Sequence, residues 1–281
     1  MELIEFAKKY KYLNVPGTKD FKLYDLLPFE EEYLKNLLNH KLLLVKQSRQ
    51  MHVTSLYIVY VSWFLLYNTK PETNIVVAVR NNESSGDFKL KVDTILIYHG
   101  LRDVYVLKSI KKNIGLSNGN NFHIFPLSYD TFRGKGNLHT VIFDNIVPND
   151  YMIDLFKQLK NGCCKKIIFS SSTPYDNSGF EQLYYSKEKD DWCRLVLHYS
   201  TNPLLCDEMV KELKKNYNLF DWNTQMELKP VTSNHSANKN NTLQIRIDDT
   251  LMMAVGLKLI EKDINISQYI RTLIEADVKL I

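Results

Sequence analysis

The sequence predicts an α/β protein with a mostly parallel sheet and flanking helices, followed by a small C-terminal module. Short apolar runs rich in Leu, Ile and Val alternate with longer stretches in which apolar residues recur at helical spacing. Strands of a parallel sheet are buried on both faces and therefore read as continuous apolar runs. A polar segment without periodicity separates this region from a last stretch of different pattern, which indicates a linker and a second domain.

The predicted elements of the first region alternate between helix and strand. Residues 26–38 have apolar positions at helical spacing, and "LYIVYVSWFLLY" is typical of a buried helix. The runs "KLLLVKQ" and "NIVVAV" are short and bounded by polar residues, as buried strands are. "DFKLKVDTILIYHGL" predicts a helix after the second run. This order favours parallel pairing, because helices can make the crossovers between the strands.

The middle of the chain adds a hairpin and two more strands. Asn118 and Gly119 lie between candidate strand residues and predict a hairpin turn, since both residue types accept positive φ. "TVIFD" and "KKIIFSSSTP" are typical of buried strands. Between them, an amphipathic helix is predicted to begin at Asn149 or Asp150 and to end at Gly162.

Composition indicates a folded protein of the cytoplasm. The 281 residues are 44% hydrophobic and 24% charged, close to the globular average, and the net charge of +4 does not by itself indicate a nucleic-acid partner. The four cysteines lack zinc-site spacing and two are adjacent, which favours free thiols in a reducing compartment. We expect no metal site, and the absence of a signal peptide or spanning run predicts no membrane contact.

The junction "SRQMHVTS" joins a predicted strand to a predicted helix, the place where phosphate-binding loops occur. Such a loop needs glycines that let backbone N–H groups approach phosphate, a lysine for the terminal phosphates and a Ser or Thr for magnesium. Thr54 stands at the magnesium position, and Asp144 ends a buried strand as the acidic residue of such sites does. His52 and Val53 stand where glycine and lysine are needed, and Asn145 stands where a catalytic glutamate usually follows.

Several stretches together resemble the ATPase domain of the large terminase, the motor that packages DNA in tailed phages. "SRQMHVTS" is similar to the terminase loop Ser-Arg-Gln-x-Gly-Lys-Thr-Ser/Thr. The matching residues are Ser48, Arg49, Gln50 and Thr54. "NGNN" followed by "TFRGKG" resembles the segment before the acidic strand, with Arg133 and Gly134 matching an Arg-Gly pair. "VIFDN" resembles the acidic strand, and "IIFSSSTPYDNSGFEQLYY" resembles the coupling segment, in which a strand ends in Ser/Thr-Thr-Pro and leads into an aromatic-rich helix.

Departures from the family pattern change the function that the resemblance implies. Without the lysine no point charge reaches the transferred phosphate, and without the glutamate no group orients the attacking water. Met51 and Val53 would bring side chains where bare backbone must meet phosphate, and Glu30 stands where the family has an adenine-reading Gln. The resemblance therefore implies a pseudo-ATPase with no cofactor. The alternatives are weak ATP and magnesium binding through Arg49 and Thr54, and an unrelated α/β core whose loop is coincidental.

The C-terminal stretch begins with a strictly alternating strand. Its apolar face is Leu243, Ile245 and Ile247, and its polar face is Thr242, Gln244 and Arg246. Two helical patterns follow, the first capped by Asp248 or Asp249 and the second by Ser267. One strand with one apolar face needs a partner strand. The pattern resembles the ribbon-helix-helix family, in which two chains pair their strands into a ribbon that enters the major groove, as in the Arc and MetJ repressors.

This second resemblance implies a set of DNA contacts. The strand side chains would meet base edges, and the start of the last helix would present backbone N–H groups to a phosphate. The DNA-binding residues would be Thr242, Gln244, Arg246, Ile266, Ser267, Gln268 and the linker's Lys239. Residues 241–281 carry five cations against six anions, a net charge of −1, so the linker and the first domain would have to add phosphate contacts. The alternative is a ribbon that only dimerises the chain.

Together these patterns predict a terminase-like domain over 1–225, a linker over 226–241 and a ribbon-helix-helix domain over 242–281. We expect a phage-encoded, non-enzymatic protein of the host cytoplasm that binds double-stranded DNA as a homodimer through its last domain. Its role would lie in DNA packaging with other phage packaging proteins, in the regulation of packaging, or in transcriptional control. One alternative is a residual ATPase or DNA translocase, and the other is an oligomerising structural protein that does not bind DNA.

Overall fold

The first of two units along the chain carries the described structure. The computed structural model describes residues 1–14, 21–68, 72–98, 106–110, 113–127, 137–145, 151–162, 164–172, 179–185 and 191–229. Backbone contacts divide the chain into Met1–Ser233 and Asn234–Ile281, and every described residue belongs to the first unit. The predicted ribbon-helix-helix domain and the predicted linker beyond Lys229 therefore lie outside the described residues. None of the helices in these ranges is long and apolar enough to cross a membrane.

Helices and strands alternate along most of the described residues. The helices are α1 (Leu3–Tyr10), α2 (Pro28–Asn39), α3 (Val53–Tyr67), α4 (Asn82–Tyr98), α5 (Tyr151–Asn161), α6 (Gly179–Tyr184) and α7 (Asp207–Lys215). The strands are β1 (Tyr12–Asn14), β2 (Phe21–Leu23), β3 (Leu42–Gln47), β4 (Asn74–Val79), β5 (Val106–Ile110), β6 (Asn113–Leu116), β7 (Asn121–Pro126), β8 (Leu138–Asp144), β9 (Lys166–Ser171) and β10 (Trp192–Leu197). Shorter turns follow at Tyr199–Thr201 (3₁₀), Leu219–Asp221 (α) and Trp222–Met226 (π).

Eight of the described strands form one sheet in the order β10-β3-β9-β8-β4-β7-β6-β5. The six strands from β10 to β7 are parallel, and β6 and β5 add an antiparallel edge. β1 and β2 form a separate antiparallel pair. The predicted α/β class with a mostly parallel sheet is confirmed.

Two apolar cores cover the two faces of this sheet. Helices α1 to α4 pack on one face, where alternate residues such as Val45 of β3 and Ile142 of β8 point. Helices α5 and α6 pack on the other face, against residues such as Leu44 and Phe143. Every residue of β3 and β9 is buried, and both strands have a continuous apolar stretch, Leu42–Val45 in β3 and Ile167–Phe169 in β9, flanked by buried polar residues.

The predicted hairpin between β6 and β7 is confirmed, with one difference in its turn. Gly119 takes a φ of 82°, as predicted. Asn118 contributes through its side chain, whose Nδ2 donates to the carbonyl oxygen of Leu65 at 2.8 Å. Fully buried Asn120 donates to the same carbonyl at 3.2 Å and to that of Asn68 at 3.0 Å. The hairpin therefore caps the C-terminal end of α3 as well as reversing the chain.

Candidate functional site

The candidate site lies at the carboxyl end of the parallel strands, where β3 leads into α3 through residues 48–52. We call these residues the junction. Two of them have left-handed backbone conformations, Gln50 with φ 65° and His52 with φ 56°. His52 directly precedes α3, at the position where the terminase pattern has glycine. A side chain in this region costs about 1–2 kcal/mol, so the backbone holds a conformation that suits glycine better than histidine.

The side chains around the junction divide into buried and exposed groups. Met51 and Val53 are 1% and 2% exposed and belong to the core that α1 to α4 form. Arg49 and Gln50 are exposed. The residue in the lysine position therefore packs into the apolar core, and the junction itself contains no lysine.

Thr54 and Asp144, predicted from separate parts of the sequence, meet in the structure. The Thr54 hydroxyl donates to Oδ2 of Asp144 at 2.8 Å and lies 3.1 Å from Oδ1. Asp144 is only 6% exposed. Burial raises the pKa of Asp144 to about 6, and the hydrogen bond from Thr54 opposes this shift.

Two buried tyrosines, Tyr33 and Tyr57, lie close enough to this carboxylate to feel its charge. The Tyr33 hydroxyl donates to the Tyr57 hydroxyl at 2.8 Å. Burial raises the pKa of both phenols, and the nearby negative charge of Asp144 adds to the shift. The phenols therefore stay neutral, and no cation lies within ion-pair distance of Asp144 among the described side chains.

Asn145 occupies the position that the family pattern gives to glutamate, and its side chain joins two strand ends. Its φ is 51°. Its Oδ1 accepts from the Ser172 hydroxyl at 2.7 Å and from the Ser172 amide at 3.2 Å. The backbone amide of Asn145 donates to Ser170 at 3.1 Å. Asn145 thus fixes the end of β8 to the end of β9, and its side-chain oxygen is already engaged with the protein.

A C-terminal segment, residues 197–229, covers the junction from one side; we call it the strap. The Ser48 amide donates to Leu197 at 2.8 Å, and the Arg49 amide donates to Gln225 at 3.0 Å. The Ser48 hydroxyl donates to the Met226 carbonyl at 2.5 Å and accepts from the Tyr199 amide at 3.0 Å. Asn202 Nδ2 donates to the Gln50 carbonyl at 3.0 Å. The strap therefore provides hydrogen-bond partners for the first three junction residues.

The strap is itself anchored around a buried tryptophan. Trp222 is 3% exposed, and its indole N–H donates to Oε1 of Glu227 at 3.1 Å. The Tyr199 hydroxyl donates to the same oxygen at 3.0 Å. Met226 and Leu228 are also buried, at 0% and 7% exposed, although the sequence predicted a linker from residue 226. These contacts hold the π-helical turn of the strap over the junction.

A buried ion pair also lies next to the junction, in contact with His52. Lys11, directly after α1, pairs with Glu30 of α2, and both side chains are fully buried. Glu30 Oε2 also accepts from the Leu27 amide at 2.9 Å, and Glu30 Oε1 lies 3.4 Å from Nδ1 of His52. Burial raises the pKa of Glu30, but the His52 imidazole, the Lys11 ammonium and the Leu27 amide outweigh burial and leave this pKa below its usual value.

The structure brings together the residues predicted for the degenerate nucleotide site, whereas the residues predicted to bind DNA lie outside the described ranges. Ser48, Arg49 and Gln50 lie between β3 and α3, Thr54 lies in the first turn of α3, and Asp144 faces Thr54. The predicted DNA-binding residues Thr242, Gln244, Arg246, Ile266, Ser267, Gln268 and Lys239 lie outside the described residues, as do Arg133 and Gly134. The strap and Lys11 were not predicted.

The described unit is similar to solved structures of phage large terminases. The HK97 bacteriophage large terminase matches with a TM-score of 0.58 and 14% identity, over 79% of this chain and 53% of that chain. The large terminase from a thermophilic bacteriophage matches with a TM-score of 0.56 and 15% identity, over 71% and 52%. The Thermus phage P74-26 large terminase ATPase domain matches with a TM-score of 0.53 and 11% identity, over 69% and 90%. No protein-family model and no curated protein matches the sequence.

These matches define the fold of the described unit. It is the α/β fold of phage large-terminase ATPase domains, as the sequence resemblance predicted. The matched regions span about half of the HK97 large terminase and of the large terminase from the thermophilic bacteriophage, at 53% and 52% of those chains. The match to the isolated P74-26 ATPase domain covers 90% of that domain.

Proposed function

We propose that this protein works in phage DNA packaging or its regulation as a non-hydrolysing relative of the terminase ATPase, and that it binds DNA as a dimer through residues 242–281. The loss of hydrolysis is inferred from one observation, which is that the junction is hydrogen-bonded to another segment of the same chain. Its first three residues are hydrogen-bonded to the strap, and its lysine position, Val53, is buried in the core. A control role in transcription is the remaining option for the same DNA-binding dimer.

Three features support the loss of hydrolysis. Val53 supplies no charge to a transferred phosphate, and His52 places a side chain where backbone must approach it. Asn145 cannot act as the base that orients water, and its amide oxygen is already held by Ser172. Removing a single phosphate-stabilising group from such sites commonly costs a factor of about 10³ or more in rate, so their combined loss favours an inactive site.

The test of this part is phosphate release from ATP and magnesium by the full chain. We expect a rate no higher than that of a denatured sample, with or without duplex DNA. A matched pair of variants, Asp144→Ala at the site and Asp87→Ala on the exposed surface of α4, separates residual turnover from contamination. Turnover that Asp144→Ala abolishes and Asp87→Ala preserves would contradict the proposal.

A residual ATPase or translocase is the second candidate, and one observation favours it. The Thr54 hydroxyl and the Asp144 carboxylate still meet at 2.8 Å, and these are the residue types that hold magnesium in phosphate-loop sites. Such an enzyme would need its missing cation from another subunit or from Arg49, which is exposed at the junction. The same pair of Asp variants tests this candidate.

DNA binding is proposed from the sequence of the C-terminal module. The test is a fluorescence-anisotropy titration of labelled duplex DNA with the full chain and with a truncation ending at Ala237, which retains the whole first unit, Met1–Ser233. We expect binding that weakens as salt is added and that disappears on truncation, because phosphate contacts release counterions. Equal binding by both proteins would show that the DNA-binding surface lies in the first unit.

The third candidate is a structural protein that uses the C-terminal module only to oligomerise. Two variants separate it from a DNA-binding dimer. Ile245→Asp places a charge on the predicted apolar face of the ribbon, so it should dissociate the oligomer in either case. Arg246→Ala removes a predicted base contact and should weaken DNA binding without dissociating the oligomer. If Arg246→Ala leaves the function of the protein unchanged while Ile245→Asp destroys its assembly, the ribbon serves only for assembly.

A further inference from the structure

A fully buried carboxylate lies against the junction, with one oxygen facing the His52 imidazole. Both Glu30 and its partner Lys11 are 0% exposed, and Lys11 and the Leu27 amide hold Oε2. The other oxygen, Oε1, accepts no hydrogen bond from any described residue. It lies 3.4 Å from Nδ1 of His52, within ion-pair distance of a protonated imidazole. Oε1 is thus directed at the residue that precedes α3.

The start of α3 is where an anion would otherwise be favoured. This helix is 15 residues long, and His52 provides no side-chain cap for its first amides. Unpaired amides and the helix dipole attract phosphate or carboxylate groups to such an end. Glu30 places a negative charge beside this end, and Lys11 offsets that charge from the opposite oxygen of the carboxylate. Because the carboxylate is buried, solvent and salt screen it little.

We propose that Glu30 is a selectivity-determining residue that excludes phosphate-bearing ligands from the N-terminal end of α3. Glu30 has this role only if, as proposed above, the native junction does not bind nucleotide. The consequence is that restoring glycine and lysine in place of His52 and Val53 is not sufficient to restore nucleotide binding. The carboxylate of Glu30 would still repel a phosphate held by the restored residues.

The test measures the affinity of full-length variants for ATP with magnesium and for pyrophosphate, by isothermal titration calorimetry. The starting variant is His52→Gly/Val53→Lys, and Glu30→Gln is then added to it. Because Glu30→Gln leaves Lys11 buried without its counter-ion, a second variant adds Lys11→Met together with Glu30→Gln. Circular dichroism and thermal melting show that each variant is folded.

A neighbouring glutamate provides the matched control. Glu31 follows Glu30 on α2, but its side chain is 30% exposed and pairs with Lys35 at 2.9 Å and Lys8 at 3.4 Å. Glu31→Gln in the same background changes the net charge by the same amount without altering the buried carboxylate. Its effect on affinity should be small, since exposed charges are screened.

We expect the Glu30 variants to bind both ligands at least about tenfold more tightly than the His52→Gly/Val53→Lys starting variant, because they remove a buried like charge that Lys11 offsets only from its far oxygen. The proposal is overturned if the starting variant already binds as tightly, if Glu31→Gln gives the same gain, if only ATP and not pyrophosphate gains affinity, or if no folded variant binds either ligand. ATP turnover by the native protein is measured separately, so its result tests the loss of hydrolysis without affecting this comparison.

Discussion

Replacing Asp144 by asparagine is expected to stabilise the protein at neutral pH. Asp144 is 6% exposed, accepts a hydrogen bond from Thr54 and has no cationic partner among the described side chains. An ionised carboxylate in such surroundings is destabilising, because it has lost its hydration without gaining a counter-ion. Asparagine has nearly the same shape and carries no charge. The Thr54 hydroxyl can still donate to its amide oxygen.

The magnitude follows from the pKa of Asp144, which burial raises from 3.8 to about 6. In this interval the native protein binds a proton that the unfolded chain has released, so the free energy of unfolding falls as the pH rises. The total loss is about 3 kcal/mol and is complete once the pH exceeds the native pKa. Asp144→Asn should remove this pH dependence and recover part of the lost stability above about pH 6.

Urea unfolding at about pH 5 and about pH 8, followed by tryptophan fluorescence, measures both effects. All three tryptophans, Trp63, Trp192 and Trp222, lie in the first unit, so the signal reports on the unit that contains Asp144. Asp87→Asn on α4, where the carboxylate is 54% exposed, is the control and should retain the native pH dependence. The reasoning is refuted if Asp144→Asn destabilises the protein at the higher pH or keeps the native slope.

Three further substitutions test the turns and hydrogen bonds around the sheet. Gly119→Ala should lower the free energy of unfolding by about 1–2 kcal/mol because of its positive φ, whereas Gly86→Ala on α4 has open space and should not destabilise. Ser48→Ala leaves a carbonyl and an amide of the strap without their partner and should cost about 1–3 kcal/mol. Asn145→Ala should cost about 2 kcal/mol, while Asn145→Asp keeps an acceptor for Ser172 and should cost less. Urea midpoints measure all of these effects. Equal midpoints within the glycine pair or the asparagine pair, or a native midpoint for Ser48→Ala, would contradict the explanation given for that substitution.

The sequence was sufficient to predict the centre of the sheet. Strands β3, β4, β8 and β9 are buried on both faces. Their apolar runs therefore do not resemble the alternating pattern of a strand or helix that has one face in solvent. The phosphate-loop pattern assigned Thr54 and Asp144 to one degenerate nucleotide site, and the hydrogen bond between them shows that the fold brings these two residues together. These features depend on local pattern and on chain order, which a single sequence contains.

The features that the sequence did not predict depend on contacts between distant residues. β10 lies at the edge of the sheet and mixes buried with partly exposed positions, so it lacks the continuous apolar run of a central strand. Lys11 and Glu30 are charged, and such residues are mostly exposed unless they are paired. Nothing in the local sequence shows that these two residues, 19 positions apart, are each other's partner.

The contact between the strap and the junction can form only late in the synthesis of the first unit. Ser48 and Met226, joined through the Ser48 hydroxyl, are separated by 178 positions in the chain. At a synthesis rate of about 5–20 residues per second, roughly 10 to 35 s pass between the appearance of these two residues. During that interval the polar groups of residues 48–50 have only water as a partner on the strap side. The β3–α3 region can therefore make these hydrogen bonds only after the C-terminal part of its own unit has been synthesised. A chain that ends before Trp222 would lack the strap residues Gln225 and Met226, which bond to Arg49 and Ser48.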